Sequence, residues 1–109
     1  MTETEAIEAF SALAHPSRIA IFRLLVRTQP AGMPVMKISH ALQIVPSTLS
    51  GHLAILKRAG WLSASRHQRE IRYAACIDRV NDLIGFLLED CCGGKIENCH
   101  TILTLLEGA

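Results

Sequence analysis

Between Ala9 and Arg69 this 109-residue chain has no aspartate and no glutamate, while eight lysines and arginines fall in that span. All ten acids lie outside it, with only Arg72, Arg79 and Lys95 as basic company, so the middle carries +8 and the ends together −7. The formal net charge of +1 conceals this layout, which suits a polyanion lying against the middle of the chain. No apolar run approaches the roughly 18 residues needed to span a bilayer, so no membrane partner is expected. The first ten residues, MTETEAIEAF, are acidic and lack the basic start of a signal peptide. Four cysteines without such a segment read as reduced thiols in the cytoplasm, not as a secreted disulfide framework. There is no glycine-rich phosphate loop and no paired-carboxylate arrangement. Cys99 beside His100 is the only nucleophile–base candidate, and nothing accompanies it, so the chain does not read as an enzyme. Its length makes residues 1–109 a single domain, small enough to gain from dimerisation.

What is present is organised around residues 46–61, PSTLSGHLAILKRAGW. Wound at 100° per residue, Leu49, Leu53 and Leu56 share one narrow arc, with His52 at its edge. The opposite arc carries Ser47, Gly51, Ala54 and Arg58, flanked by Ser50 and Lys57. An ordinary amphipathic surface helix has the same pattern. The small groups near its start, Ser47, Thr48, Ser50 and Gly51, would nevertheless allow close approach to base edges, with His52, near the core or the DNA, a further contact, while Lys57 and Arg58 hold phosphates.

The neighbouring residues favour the second reading. Thr2 and Glu5 have capping-box spacing ahead of a stripe of Ala6, Phe10 and Leu13. Pro16 is placed to open a second helix, buried through Ile19, Phe22, Leu25 and Val26, and QPAGMP at 29–34 reads as a loop. Ile38, Ala41 and Leu42 mark a short third helix, joined through Gln43, Ile44 and Val45 to the stretch at 46–61. Two short helices with so tight a connection predict a helix-turn-helix. After Gly60, a helix-ending residue, the period changes to 2: Leu62 and Ala64, then Ile71, Tyr73 and Ala75, flank a basic tip of Arg66, His67, Gln68 and Arg69. That hairpin predicts a wing, with Arg66, Arg69 and Arg72 reaching DNA backbone or minor groove. Asp78 is a candidate N-cap for a last helix with an apolar stripe of Val80, Leu83, Ile84, Leu87, Leu88 and Cys91. One small domain has little interior left for that stripe. With Phe10 and Leu13 it is the expected dimer interface. The predicted fold is mostly α with a small β-hairpin, a dimeric winged helix-turn-helix.

In order, HPSRIAIFRLL, STLSGHLAILKRAGWL and RHQREIRY resemble the ArsR family of bacterial winged-helix repressors. The resemblance covers roughly Ile7 to Asp90 and implies a homodimer that binds double-stranded operator DNA and lets go when an inducer binds. Three positions depart from it: Gln43 where such turns often have glycine, Val45 where a capping serine is common, and Gly51 where a polar or basic side chain is usual. The cysteine pair that the family often carries at the start of the third helix is absent from PVMKISHAL.

The chain has instead EDCCGGKIENCH, with Cys91, Cys92 and Cys99 and His100 adjacent. Three soft thiolates around one small ion form a pyramidal site for As(III) or Sb(III), and some members of the resembled family carry C-terminal triads of this kind for arsenite. Zn(II) or Cd(II), with His100 as a fourth ligand, is the alternative, although CCx6C is not a standard zinc spacing. Cys91 alone would read as a continuation of the buried stripe, and Cys76 as structural. Thiol-redox sensing is the remaining rival. It needs low-pKa thiols, and Glu89, Asp90 and a helix C-terminus work against thiolate. The expected function is a metalloid-responsive transcriptional repressor.

Overall fold

The computed structural model describes residues 1–89. Cys91, Cys92, Cys99 and His100 lie outside them, as do residues 95–107, which the sequence predicts as one more short helix with Ile102, Leu103 and Leu106 on its apolar side. Five helices and three strands follow in the order α1 (Glu3–Leu13), α2 (Pro16–Arg27), β1 (Met33–Pro34), α3 (Val35–Leu42), α4 (Pro46–Arg58), β2 (Leu62–His67), β3 (Glu70–Ala75) and α5 (Ile77–Leu87). No single helix among the described residues is long and apolar enough to cross a membrane.

Local chemistry sets the helix starts. The Thr2 hydroxyl accepts from the Glu5 backbone N–H at 3.1 Å, which caps α1. His15 caps α2 in the same way, its Nδ1 accepting from the Ser17 N–H at 3.1 Å, with Pro16 at the first helical position where its missing donor costs nothing. The core-facing side of α1 is made of Ala6, Ala9 and Ala12, all buried, and Phe10 is left 46% exposed. Small residues there let Trp61 come close: its indole N–H donates to the Ala9 carbonyl at 2.8 Å, and its ring meets Phe22 edge-on at 5.2 Å. Ile21, Leu25, Ile38, Leu49, Leu53 and Leu56 complete the centre, each almost wholly excluded from water.

The sheet is larger than a hairpin. β1 pairs antiparallel with β3 through Met33–Tyr73 and Pro34–Arg72, giving the order β1-β3-β2. QPAGMP therefore ends in a strand, not only a loop. Gly32 makes this possible: at φ +73° it lies so close to β3 that a Cβ would collide with the Tyr73 carbonyl. The expected four-residue tip also tightens. β2 and β3 pair as far as His67–Glu70, leaving Gln68 and Arg69 as the turn, with Gln68 at φ +61°.

Two expectations about α5 are corrected. Its N-cap is Cys76 and not Asp78, because the Cys76 N–H is tied to the Trp61 carbonyl at 2.9 Å and the helix starts from that anchor. Asp78 falls in the first turn, where its charge still complements the helix dipole. The stripe is also not wholly without an interior: Leu83 is 5% exposed within its own chain, and Val80 and Phe86 pack on the same core. Leu83 is thus a core residue of its own subunit, and Val80 and Leu13, both half-buried, pack against that core. Ile84 and Leu88 are half-buried, and only Leu87, at 60% exposure, stands out into solvent.

Candidate nucleic-acid interface

The turn between α3 and α4 is built without the glycine usual at such a bend. Gln43 adopts the left-handed conformation, φ 55° and ψ 45°, which costs a residue with a side chain roughly 1–2 kcal/mol. Ser39, buried beneath the turn, offsets that cost. Its hydroxyl donates to the Ile44 carbonyl at 2.6 Å, and its own carbonyl accepts from the Ile44 N–H at 3.2 Å. Gln43 adds a bond from Nε2 to the His40 carbonyl at 2.8 Å. The bend therefore survives both departures from the family pattern. Val45 contributes no side-chain cap, and Pro46 removes one of the N–H groups that a cap would have satisfied.

α4 then turns Leu49, Leu53 and Leu56 inward, all three buried. Ser47, Thr48, Ser50, Gly51, Lys57 and Arg58 are all exposed. Gly51 is helical with a negative φ, and a Cβ placed on it would meet nothing within 4 Å. Glycine in a helix interior costs about 1 kcal/mol relative to alanine, and no contact among the described residues accounts for Gly51.

His52, which the sequence places near the core or the DNA and counts among the DNA contacts, is half-buried and has partners within the chain. Its Nδ1 accepts from Arg18 Nε at 3.2 Å, and its ring lies 4.6 Å from that of His15. Its imidazole thus bridges α4 to the start of α2. Burial holds it below its ordinary pKa of 6.5, and the neighbouring His15 and Arg18 push the same way. The physical reason is the arc: at 100° per residue His52 sits on the rim of the Leu49–Leu53 face, where a half-buried ring finds an intrachain partner before a base edge.

On the hairpin, Arg66 and Arg69 are exposed, and Arg66 Nε donates to the Gln68 carbonyl at 3.2 Å. Arg72 is different: its Nε pairs with Glu70 Oε1 at 3.1 Å, so part of its charge is already met. A groove of about 910 Å³ runs between the hairpin and the start of α3, with Arg69 and Arg72 beside an apolar lining of Pro34, Val35, Met36 and Ile71.

One residue that sequence reading passed over holds the far end of α4. Arg79, on α5, donates from Nε to the Ala59 carbonyl at 3.0 Å and lies 4.0 Å from Glu5 and 3.8 Å from Asp82. Its guanidinium rests on Gly60, where a Cβ would come within 2.6 Å of Nε. α1, α4 and α5 are pinned together at this point, and no local signal announces it because Ala59 is 20 residues away and Glu5 lies at the other end of the described chain. Among the described residues no three His, Cys, Asp or Glu side chains are grouped to hold a metal ion.

A helix laid across a supporting helix, with a β-hairpin following directly, defines a winged helix-turn-helix. The comparisons agree. Residues 13–60 match the helix-turn-helix domain family. An uncharacterized HTH-type transcriptional regulator of Methanocaldococcus jannaschii is 36% identical over 80 residues, which are 73% of this chain and 88% of the relative. The structure of an ArsR-like transcriptional regulator from Rhodococcus sp. RHA1 superposes with a TM-score of 0.70 at 23% identity, covering 97% of this chain and 93% of that one. A homodimeric winged helix-turn-helix DNA-binding domain from Mycobacterium bovis, a possible ArsR-family regulator, gives 0.65 at 24% identity, with 80% and 81% covered. The chain belongs to the helix-turn-helix transcriptional regulators, and its fold is the winged helix of the ArsR type.

Proposed function

We propose that this regulator binds operator DNA as a homodimer and is released when As(III) or Sb(III) engages Cys91, Cys92 and Cys99. The observation that carries the DNA half is the outward face of α4: exposed Ser47, Thr48, Ser50 and Gly51, then Lys57 and Arg58, within a span that has no acid. Small polar groups admit base edges and the two cations hold phosphates at the helix end. Arg66, Arg69 and Arg72 extend the positive surface along the hairpin. His52 orients α4 and does not read bases.

Dimerisation is supported by apolar groups that one chain leaves in water. Ile7 and Phe10 on α1 and Ile77 and Leu87 on α5 are all exposed, and the Arg79–Glu5 pair places the starts of those helices side by side. The Mycobacterium bovis domain of the same fold is homodimeric. Two copies would present two α4 helices about 34 Å apart, one turn of the duplex.

For the inducer, the donor chemistry of the sequence is the support. Three thiolates suit a thiophilic trivalent ion, and the ion deprotonates thiols that Glu89 and Asp90 disfavour as free thiolates. An inducer acts only through its different affinity for two arrangements, and moving a population from 99:1 to 1:99 takes about 5.5 kcal/mol of that difference.

The test titrates the reduced protein, bound to a duplex it has selected, with As(III), Sb(III), Zn(II) and Cd(II). Release by the trivalent ions is expected. Serine at Cys91, Cys92 or Cys99 should leave DNA binding intact and abolish that release, while Cys76→Ser should respond as wild type. Equal sensitivity to arsenite in Cys99→Ser would refute the three-thiolate site, and release by Zn(II) or Cd(II) alone would replace the metalloid.

A further inference from the structure

β1 is only two residues long and ends at Pro34, opposite Arg72. Toward the hairpin tip β3 continues to Glu70, paired there with β2 on its other side alone, while the chain turns from Pro34 straight into α3. The gap between them is the groove of about 910 Å³, a size at which pockets hold small organic molecules. Two properties of its lining decide what fits. The first is apolar: Met36 is 55% exposed and Ile71 46%, two large side chains that no described residue covers. The second is charge. Arg69 has no ion-pair partner among the described residues, and Arg72 is paired with Glu70. Two arginines against one glutamate, with His67 counted as neutral, leave the lining at +1.

We propose that this groove binds a small monocarboxylate with an apolar tail, its carboxylate on Arg69 and Arg72 and its tail on Met36 and Ile71. The parallel N–H donors of a guanidinium match the two oxygens of a carboxylate. One negative charge balances the lining, whereas a dianion or a run of phosphates would also face Glu70. The tail removes Met36 and Ile71 from water, which is favourable in proportion to the area covered. A sugar–phosphate strand offers far less apolar surface for that purpose. Arg69 and Arg72 are also the wing residues assigned to DNA, so carboxylate and duplex compete for the same guanidinium groups. Occupation of the groove therefore weakens DNA binding without the cysteines. That consequence rests on the operator-binding reading, and the binding of the carboxylate does not.

Octanoate is the probe, with octanol as the tail without the charge and acetate as the charge without the tail. The chain has three methionines, and NMR of their isotope-labelled methyl groups reads the site directly. The Met36 signal should move saturably with octanoate and the Met1 signal should not, while octanol and acetate bind at least about tenfold more weakly. Met36→Ser, at an exposed position, keeps the fold and should weaken octanoate about fivefold. Its affinity for the selected duplex should equal that of wild type, and its release from that duplex should need about fivefold more octanoate. An unmoved Met36 signal overturns the site, as does wild-type octanoate affinity in Met36→Ser. Equal responses to octanoate and octanol would reduce the groove to an unspecific apolar patch. Weaker duplex binding by Met36→Ser, with no octanoate response in wild type, would give the groove to the DNA strand instead. Octanoate that binds with the duplex still in place refutes the competition. A wild-type protein that binds octanoate and no duplex upholds the groove and refutes the operator-binding reading alone.

Discussion

α4 and α5 carry apolar residues at the same helical spacings, yet Leu49, Leu53 and Leu56 of α4 are at most 1% exposed while the α5 series passes from 5% at Leu83 to 60% at Leu87. The difference lies in what surrounds each helix. α4 packs against α1, α2, α3 and β2, so its inward arc is enclosed and its outward arc is free to meet a ligand. α5 is anchored at its start, where the Cys76 N–H meets Trp61 and Arg79 meets Ala59, and beyond Leu83 its apolar side chains are half-buried or, at Leu87, exposed. One helix is fixed by its own subunit. The other has an apolar surface still to be covered.

The largest effect expected from this contrast is on stability. Leu53→Ala should cost about 3 kcal/mol, in the range for a leucine removed from a filled core, and the cost should not depend on protein concentration. Leu87→Ala should change the stability of a single subunit by less than about 0.5 kcal/mol, as exposed positions do. Its effect should appear instead as a weaker dimer, read from urea midpoints over a range of concentrations. Similar, concentration-independent losses for both would mean that α5 is as fully packed within its subunit as α4.

A smaller effect separates the arginines of the wing. Arg69→Ala should reduce the slope of log affinity against log salt by about one unit, the loss of one phosphate contact. Arg72→Ala should reduce it by less, since Glu70 at 3.1 Å already balances part of that charge. With Glu70→Gln in the background, the two arginine substitutions should reduce the slope equally. Equal slopes for the two arginine variants would show that the Arg72–Glu70 pair opens on DNA.

The smallest effect is the pH dependence of the joint between α4 and α2. His52 is held below its ordinary pKa, so the unfolded chain takes up its proton first as pH falls. The stabilisation is complete above about pH 6.5, the unfolded value, and is lost as pH descends from there toward the lower folded pKa. Protonation also ends the ability of Nδ1 to accept from Arg18. His52→Gln should flatten the melting temperature between pH 7 and pH 5 relative to wild type, and parallel curves would remove His52 from that joint.

Much of this molecule could be read from its residues because the informative signals are local. The Thr2 cap, Pro16 at a helix start, the leucine arc of α4 and the change of period after Gly60 all depend on neighbours within a few positions, and each is found where expected. What was not legible depends on distant partners. β1 is two residues long and exists because β3 arrives beside Gly32. Leu83 has a core to enter because residues distant in sequence, from Ala6 to Ala75, are gathered into it. His52 looks like a DNA residue by position on the helix and becomes a bridge because Arg18 and His15 meet it from 34 and 37 residues away. The outward face of α4 was legible, since a helix whose inward arc is so regular defines the other arc by exclusion.

The account turns on that outward face being the surface that meets DNA, and Ser47→Glu tests it most directly. Ser47 is exposed in the first turn of α4, where a carboxylate complements the helix dipole, so the melting temperature should hold or rise. The same carboxylate would stand against base edges and phosphates, and affinity for the selected duplex should fall by at least about a hundredfold through like-charge repulsion. A folded Ser47→Glu protein that binds that duplex as tightly as wild type would contradict the assignment of α4 as the recognition helix.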